Sequence, residues 1–488
     1  MGNTSLKQDT AKGVIWNFIS RVLQLLIQFA LTLVLSRLLV PEDFATIGLL
    51  SFFTSVCTVL IDSGFGQTLI RKTDLDEVDC SSVFFFNIFI GLSLYIILFF
   101  SSGSIATYFA ISELKTISQI VFVTLVFNAA QIVPFSLLNR KMEFRGITVA
   151  SIVSLSISAI AGIVTALMGL GVYAIVIQML VYSGLYTVLL FFAARWRPHH
   201  YFSWPRIKVM MGFSMNLLLT GLIINIFNNL YTLIIGKRFP QQTLGYYTQA
   251  KKIEEIPSLS ITTIIQNVSY SAMSKVQDNI ALLQSAYKRI LSINIYIIFP
   301  IMAMCFVSAK HFIPLLFGWQ WIPIVPMFRI LCVYGAIFPL ASINSNIVKV
   351  LGKGKSVLLL ELVRRGLMIL FIVLTITLSV ESMLWGWVVS MALYIVFSFF
   401  YCGSFIDYSG FSQIRHSTYY LVVAIIPALF PEYINFYFVN GSFVALLIQI
   451  SSYVAFYLLL SYLLKVPAFI ELLSLAKHLS LKSILHSK

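Results

Sequence analysis

Charge is scarce in this chain. Asp, Glu, Lys and Arg make up 10% of its 488 residues, against 59% hydrophobic ones. A soluble protein of that length cannot bury so much apolar surface, whereas lipid solvates it. No loop is long enough to form a separate soluble domain; the longest, near 195–208, reads RWRPHHYFSWPRIK. Ten-residue stretches of alternating polarity are also lacking, which excludes a β-barrel. Acids are scarcer than bases, 18 against 33, for a net charge of +15. The basic residues are scattered among short loops rather than gathered into one patch, so no nucleic-acid partner is expected. The five cysteines (Cys57, Cys80, Cys305, Cys332 and Cys402) form no C-x-x-C pair, and the six histidines show no ligand spacing. Neither a disulfide framework nor a metal or other cofactor is therefore expected. No A-x-A-like cleavage site follows the first apolar run, which reads as a retained span rather than a signal peptide.

What the chain does have is apolar runs of helix-spanning length, about 20 residues each. They fall near 14–36, 44–70, 83–101, 117–138, 147–167 and 172–194, then near 209–235, 249–273, 290–308, 324–347, 356–378 and 383–402. Two more lie near 419–438 and 443–464. The expected fold is an all-α polytopic membrane protein of about fourteen helices: two six-helix bundles at 1–205 and 206–405, then two additional helices and a tail at 406–488. Most Lys and Arg fall on one side of this arrangement; only Arg37, Lys115, Lys237, Arg238 and Lys310 fall on the other. The positive-inside rule then puts both termini in the cytoplasm. The aromatic, basic loop at 195–208 separates the two bundles and reads as an interfacial linker anchored on headgroups.

The second bundle repeats the first at an offset of 200 residues. Arg37 falls on Lys237, Phe44 on Leu244 and Ala45 on Gly245, with Pro41 and Pro240 one residue out of step. Six spans is an even number, so both copies enter from the same side, as in parallel repeats with the substrate site at the repeat interface. In span one Asn17, Arg21, Gln24, Gln28 and Thr32 lie on one helical face. Span seven answers with Gly221, Asn225, Asn228, Asn229 and Thr232. Span two carries Gly48, Ser51, Ser55, Thr58, Asp62 and Gly66; span eight carries Lys251, Glu255, Ser258, Thr262 and Gln266 at the equivalent places. Small and polar residues also glue helices together, which is the plainer reading of the Ser, Thr and Gly positions. Ionisable groups in a span cost several kcal/mol and are kept mainly where a pathway uses them. Arg21, Asp62, Lys251 with Lys252, and Glu255 therefore mark a hydrated cavity. Glu361 with Arg364 and Arg365 has the spacing of an intrahelical ion pair and could equally line that cavity. The D-S-G-F-G run at 62–66 reads alternatively as a glycine-permitted kink, and Pro257 as a break in span eight.

The runs SRLLVPEDFATIGLL (36–50), DSGFGQTLIRK (62–72), SLLNRKMEFR (136–145) and LGYYTQAKKIEEIP (244–257) resemble the bacterial Wzx-type polysaccharide exporters. SKVQDN (274–279) and LLFGWQW (315–321) extend the likeness over essentially the whole chain. NVSYSAMSK (267–275) departs from it where many relatives carry Phe-Pro. This family belongs to the multidrug/oligosaccharidyl-lipid/polysaccharide superfamily. The resemblance implies two six-helix bundles around a cationic cavity, in the bacterial inner membrane. It also implies flipping of undecaprenyl-pyrophosphate-linked oligosaccharides for O-antigen, capsule or exopolysaccharide assembly. On that reading Arg21, Lys251, Lys252, Arg364 and Arg365 hold the diphosphate, and Gln24, Gln28, Asn225 and Asn228 replace the hydration of the sugars. Asp62, Glu255 and Glu361 are candidates for coupling to an ion, H+ or Na+. Membrane lipids, polysaccharide polymerase and assembly proteins are the expected partners, and no catalytic residues are assigned. Two rivals stay open: a cation-coupled drug or metabolite exporter, which would favour an acidic cavity, and a membrane glycan polymerase, which would need poised carboxylates or bases.

Overall fold

The computed structural model describes residues 23–434, 437 and 441–474. No strand occurs among them. In chain order the helices are α1 (Leu23–Leu38), α2 (Pro41–Asp62), α3 (Phe65–Arg71), α4 (Glu77–Phe109), α5 (Leu114–Val121), α6 (Thr124–Arg140), α7 (Phe144–Leu167), α8 (Tyr173–Ala194) and α9 (Trp204–Arg238). They continue with α10 (Gln241–Ser274), α11 (Ile280–Leu316), α12 (Ile324–Val350), α13 (Gly354–Thr375), α14 (Val380–Gly403), α15 (Gly410–Ile425), α16 (Leu429–Ile434) and α17 (Phe443–Leu463). The protein is an all-α multi-pass membrane protein. Ten helical segments among the described residues are long and apolar enough to cross a bilayer. The other expected spans fall on helices that are shorter or more polar. α1 is described only from Leu23, α10 carries two lysines and two glutamates, α13 carries Glu361, Arg364 and Arg365, and α15 gives way to a 3-10 turn at Pro427.

Two compact units are present, Met1–Thr248 and Gln249–Lys488. Within the first unit α9 packs along α2. A Cβ at Gly221 would meet Val59 at 2.9 Å, and one at Gly236 would meet Leu49 at 2.6 Å. Glycine at these places lets the two helices approach closely, the usual device for helix contact in lipid. Leu39 N–H bonds the Leu35 carbonyl at 2.9 Å, and Phe239 N–H bonds the Ile235 carbonyl at 3.0 Å, each just before a proline-led helix.

In the first unit Phe65, Leu69, Val83, Val133, Leu138, Leu190 and Trp196 form a buried core beneath α3, α4, α6 and α8. The α2–α3 junction is the kink expected at 62–66. Ser63 and Gly64 take left-handed backbone angles (φ 44° and 77°), and Asp62 Oδ1 accepts the Gly66 N–H at 3.0 Å. The segment between α8 and α9 is held by protein rather than by headgroups alone. Trp196 Nε1 donates to Glu77 at 2.8 Å, and the His199 and Ser203 amides donate to Ser81 and Ser82 at 3.1 and 2.9 Å. Its Tyr201 and Phe202 remain exposed, as does Trp204 at the start of α9.

The core of the second unit is built on α11, α12 and α14, with a buried polar network across them. The Tyr287 hydroxyl lies 2.7 Å from the side-chain oxygens of both Asn344 and Gln413, and Asn344 donates to Ser398 at 2.7 Å. The C-terminal helices dock on α11 and on each other: Tyr457 bonds the Tyr296 carbonyl at 2.8 Å and Tyr453 the Ala424 carbonyl at 3.0 Å.

Candidate functional site

In the first unit a polar seam runs where α1, α2, α6, α7 and α9 face one another. Gln24 donates to Ser151 on α7 at 2.7 Å, while Gln28, one turn on, is exposed. Asn128 on α6 reaches Thr58 at 3.4 Å and takes a bond from Gln131 at 3.1 Å. Asn225 and Asn229 return to the α9 backbone, each at 2.9 Å, and Asn229 also lies 3.5 Å from Ser55. Asn228 is exposed on the same helix. Amides spaced along a helix can bond sugar hydroxyls, but most of these are already engaged within the seam. Asp62, the last residue of α2, sits at its end and accepts the Gly66 N–H of the first turn of α3 at 3.0 Å, which gives the carboxylate a structural role there. Arg21 lies outside the described residues. Asn128 and Gln131 were not singled out by sequence; they belong to no repeated stripe, and polar residues one turn apart on α6 were the only signal.

The second unit gathers most of the sequence-picked charges. On α10 Lys251 lies 3.8 Å from Glu255, one turn on, and 5.9 Å from the centre of the Trp387 ring on α14. Lys252 is exposed. On α13 Arg364 donates to both oxygens of Glu361, at 2.9 and 2.6 Å, and Arg365 lies 3.5 Å from the same carboxylate. Tyr334 on α12 joins the two groups. Its ring packs against Trp387 with centroids 4.3 Å apart, and it feels the charges of Arg364, Arg365, Glu254 and Glu255. Three cations (Lys251, Arg364, Arg365) thus stand with two carboxylates (Glu255, Glu361) on α10 and α13, beside two aromatic rings. The combination suits an anion attached to sugar: guanidinium and ammonium groups for the charge, aromatic faces for the ring. Sequence reasoning missed Tyr334 and Trp387, since an aromatic residue inside an apolar helix carries no signal of its own. It also passed over Glu254, which is buried.

A family model described as polysaccharide biosynthesis protein matches residues 34–326. The chain belongs to the polysaccharide biosynthesis protein family. The matched stretch holds Asp62, Asn225, Asn228, Lys251, Lys252 and Glu255, and ends before α13. Among relatives, the lipopolysaccharide biosynthesis protein WzxC of Escherichia coli K12 is 22% identical over 338 residues, 68% of each chain. An uncharacterized membrane protein of the cps region of Klebsiella pneumoniae is 25% identical over 341 residues, covering 68% of this chain and 69% of that one. The teichuronic acid biosynthesis protein TuaB of Bacillus subtilis is 22% identical over 354 residues, 72% and 73% of the two chains. The fold is that of the lipid II flippase MurJ in its inward closed conformation: TM-score 0.75, 14% identity, 93% of this chain and 98% of that one. An inward-facing multidrug MATE transporter follows at TM-score 0.62 and 17% identity, over 79% and 94%.

Proposed function

We propose that this protein is a flippase for lipid-linked oligosaccharides. It moves undecaprenyl-pyrophosphate-linked units across the bacterial cytoplasmic membrane by alternating access, for assembly of a surface polysaccharide. The observation that carries the reading is the cationic, aromatic-walled cluster of α10, α12, α13 and α14, on a fold shared with a lipid II flippase and in a polysaccharide biosynthesis family. A glycan diphosphate must cross about 30 Å of hydrocarbon, and its polyprenyl tail can remain in lipid. Lys251, Lys252, Arg364 and Arg365, with Arg21, neutralise the diphosphate; Gln24, Gln28, Asn225 and Asn228 take over the hydration of the sugars.

Six spans in each repeat and both termini in the cytoplasm complete the topology, and polysaccharide polymerase and assembly proteins are the partners downstream. The protein makes and breaks no covalent bond in this scheme. Glu255 and Glu361 are ion-coupling candidates that already face cations, and Asp62 is one that already accepts the Gly66 N–H. A cation-coupled drug exporter would instead want a net acidic site, and the basic excess here disfavours it. The test uses cells whose own copy is deleted and replaced by variants. Lys251→Ala and Arg364→Ala should lower surface glycan and raise lipid-linked intermediate. Wild-type glycan with both variants would remove the cluster from the transport path.

A further inference from the structure

Glu254 stands next to Glu255 in sequence but about 100° away around α10, and it points into protein. It is 3% exposed, and its Oε1 has no hydrogen-bond partner among the described residues. The carboxyl fits a slot that exists because position 335 on α12 is glycine. A Cβ there would lie 2.0 Å from Glu254 Oε1 and 3.1 Å from the Met302 methyl of α11. Ser258, one turn on along α10, is buried as well. The titratable groups that act on it are Lys251 and Glu255 on its own helix, Cys305 on α11, and Cys332 and Tyr334 on α12. Lys251 lies nearest the other carboxylate, Glu255, and no ion pair to Glu254 is formed among the described residues. A carboxylate anion buried without a cation is too costly to persist, so in this packing the group holds a proton.

Three residues further on, Pro257 lies inside the helix. Proline has no N–H, which leaves the carbonyl of Ile253 without its helical partner and softens α10 beside Glu254. Beyond the proline the helix is tied to α12 again, by Gln266 to Ser342 at 2.6 Å and by Asn346 to Ser269 at 2.8 Å. We propose that Glu254 is a proton-binding site whose occupancy is linked to the seating of α10 against Gly335 of α12. With the proton bound, the neutral carboxyl stays in its slot; when the proton leaves, the anion must reach water, and α10 bends away at Pro257. Its use in coupling transport to a proton gradient rests on the flippase reading, whereas proton binding itself does not and can be read without any glycan.

The experiment is hydrogen–deuterium exchange on the full chain in lipid nanodiscs, with no substrate, corrected for the intrinsic pH dependence of exchange. Between about pH 5.5 and about pH 8.5, amides of 250–262 in the wild type should lose protection by about tenfold, as a linked protonation requires. Glu254→Gln keeps the shape without the titration and should stay protected at both values. Gly335→Ala fills the slot and should be unprotected at both, with elution as a folded monodisperse protein confirming its integrity. Protection that does not change with pH in the wild type, or a Glu254→Gln protein that follows the wild type, overturns the proposal. So does protection that tracks exchange of K+ for Na+ at constant pH. A wild type that flips glycan while showing no pH effect here would leave the transport reading intact and remove only the proton site.

Discussion

Arg365 and Arg364 share one carboxylate, that of Glu361, and the two guanidinium groups are unequally placed. Arg365 is 8% exposed, while Arg364 binds Glu361 through both oxygens. Removing Glu361 leaves the buried Arg365 without its counter-charge. Glu361→Ala should therefore lower stability by about 1.5–3 kcal/mol, the range for hydrogen bonds to charged groups. Glu361→Gln, which keeps an acceptor, should lose less. Thermal unfolding of the detergent-purified proteins measures both; equal melting temperatures for Glu361→Ala and wild type would show that the pair does no structural work.

Asp62 separates a structural role from ion coupling by a conservative change. Its Oδ1 accepts the Gly66 N–H at 3.0 Å, and the amide oxygen of Asn can do the same. Asp62→Asn should retain both stability and transport, and Asp62→Ala should cost about 1 kcal/mol, the net worth of one hydrogen bond. Loss of transport in a stable Asp62→Asn protein would return this carboxylate to the ion path.

The start of α10 comes very close to the start of α2. A Cβ at Gly245 would lie 1.9 Å from the Pro41 carbonyl oxygen, and backbone cannot rotate aside as a side chain can. Gly245→Ala should destabilise by at least about 1–3 kcal/mol, the cost of overpacking. Gly103 in α4 has nothing within 4 Å of such a Cβ, so Gly103→Ala should be neutral or stabilise by up to about 1 kcal/mol. Yield and melting temperature of the two variants should move in opposite directions.

The clamp on the α8–α9 segment gives a pH dependence. Asp76 caps α4 by accepting the Asp79 N–H at 2.8 Å; that bond, with the Arg206 guanidinium, holds its carboxyl below the usual carboxylate range. A depressed carboxyl contributes stability that is present above its unfolded value, about 4, and lost as pH falls through the folded value. Melting temperature should therefore drop as pH is lowered below about 4, and Asp76→Asn should blunt that drop. An identical acid profile in the variant would mean that other groups set it.

Much of this architecture can be read from the chain alone. The apolar runs, the kink at Asp62–Gly66 and the Glu361–Arg364–Arg365 spacing follow from local rules, since span length and helical period do not depend on distant neighbours. What escaped depends on tertiary placement. Glu254 and Glu255 look alike in sequence, yet one enters protein and the other faces Lys251. Trp387 and Tyr334 look like ordinary span residues until their rings meet beside charge. The linker at 195–208 has the composition of a headgroup anchor, and only the position of Glu77, Ser81 and Ser82 on α4 shows what holds it. The close approach of α9 to α2 at Gly221 and Gly236 is likewise something no repeat offset discloses.

The central claim is that this protein carries a glycan diphosphate through the bilayer by way of its α10–α13 cations. The direct measurement reconstitutes the purified full chain in liposomes and follows undecaprenyl-pyrophosphate-linked oligosaccharide from one leaflet to the other. The account predicts transfer by the wild type that falls by about tenfold or more in a folded Lys251→Ala, Arg364→Ala double variant, the loss of about one charge-assisted contact. Transfer at the wild-type rate by that double variant, or none by the wild type alongside efflux of small organic cations, would contradict it.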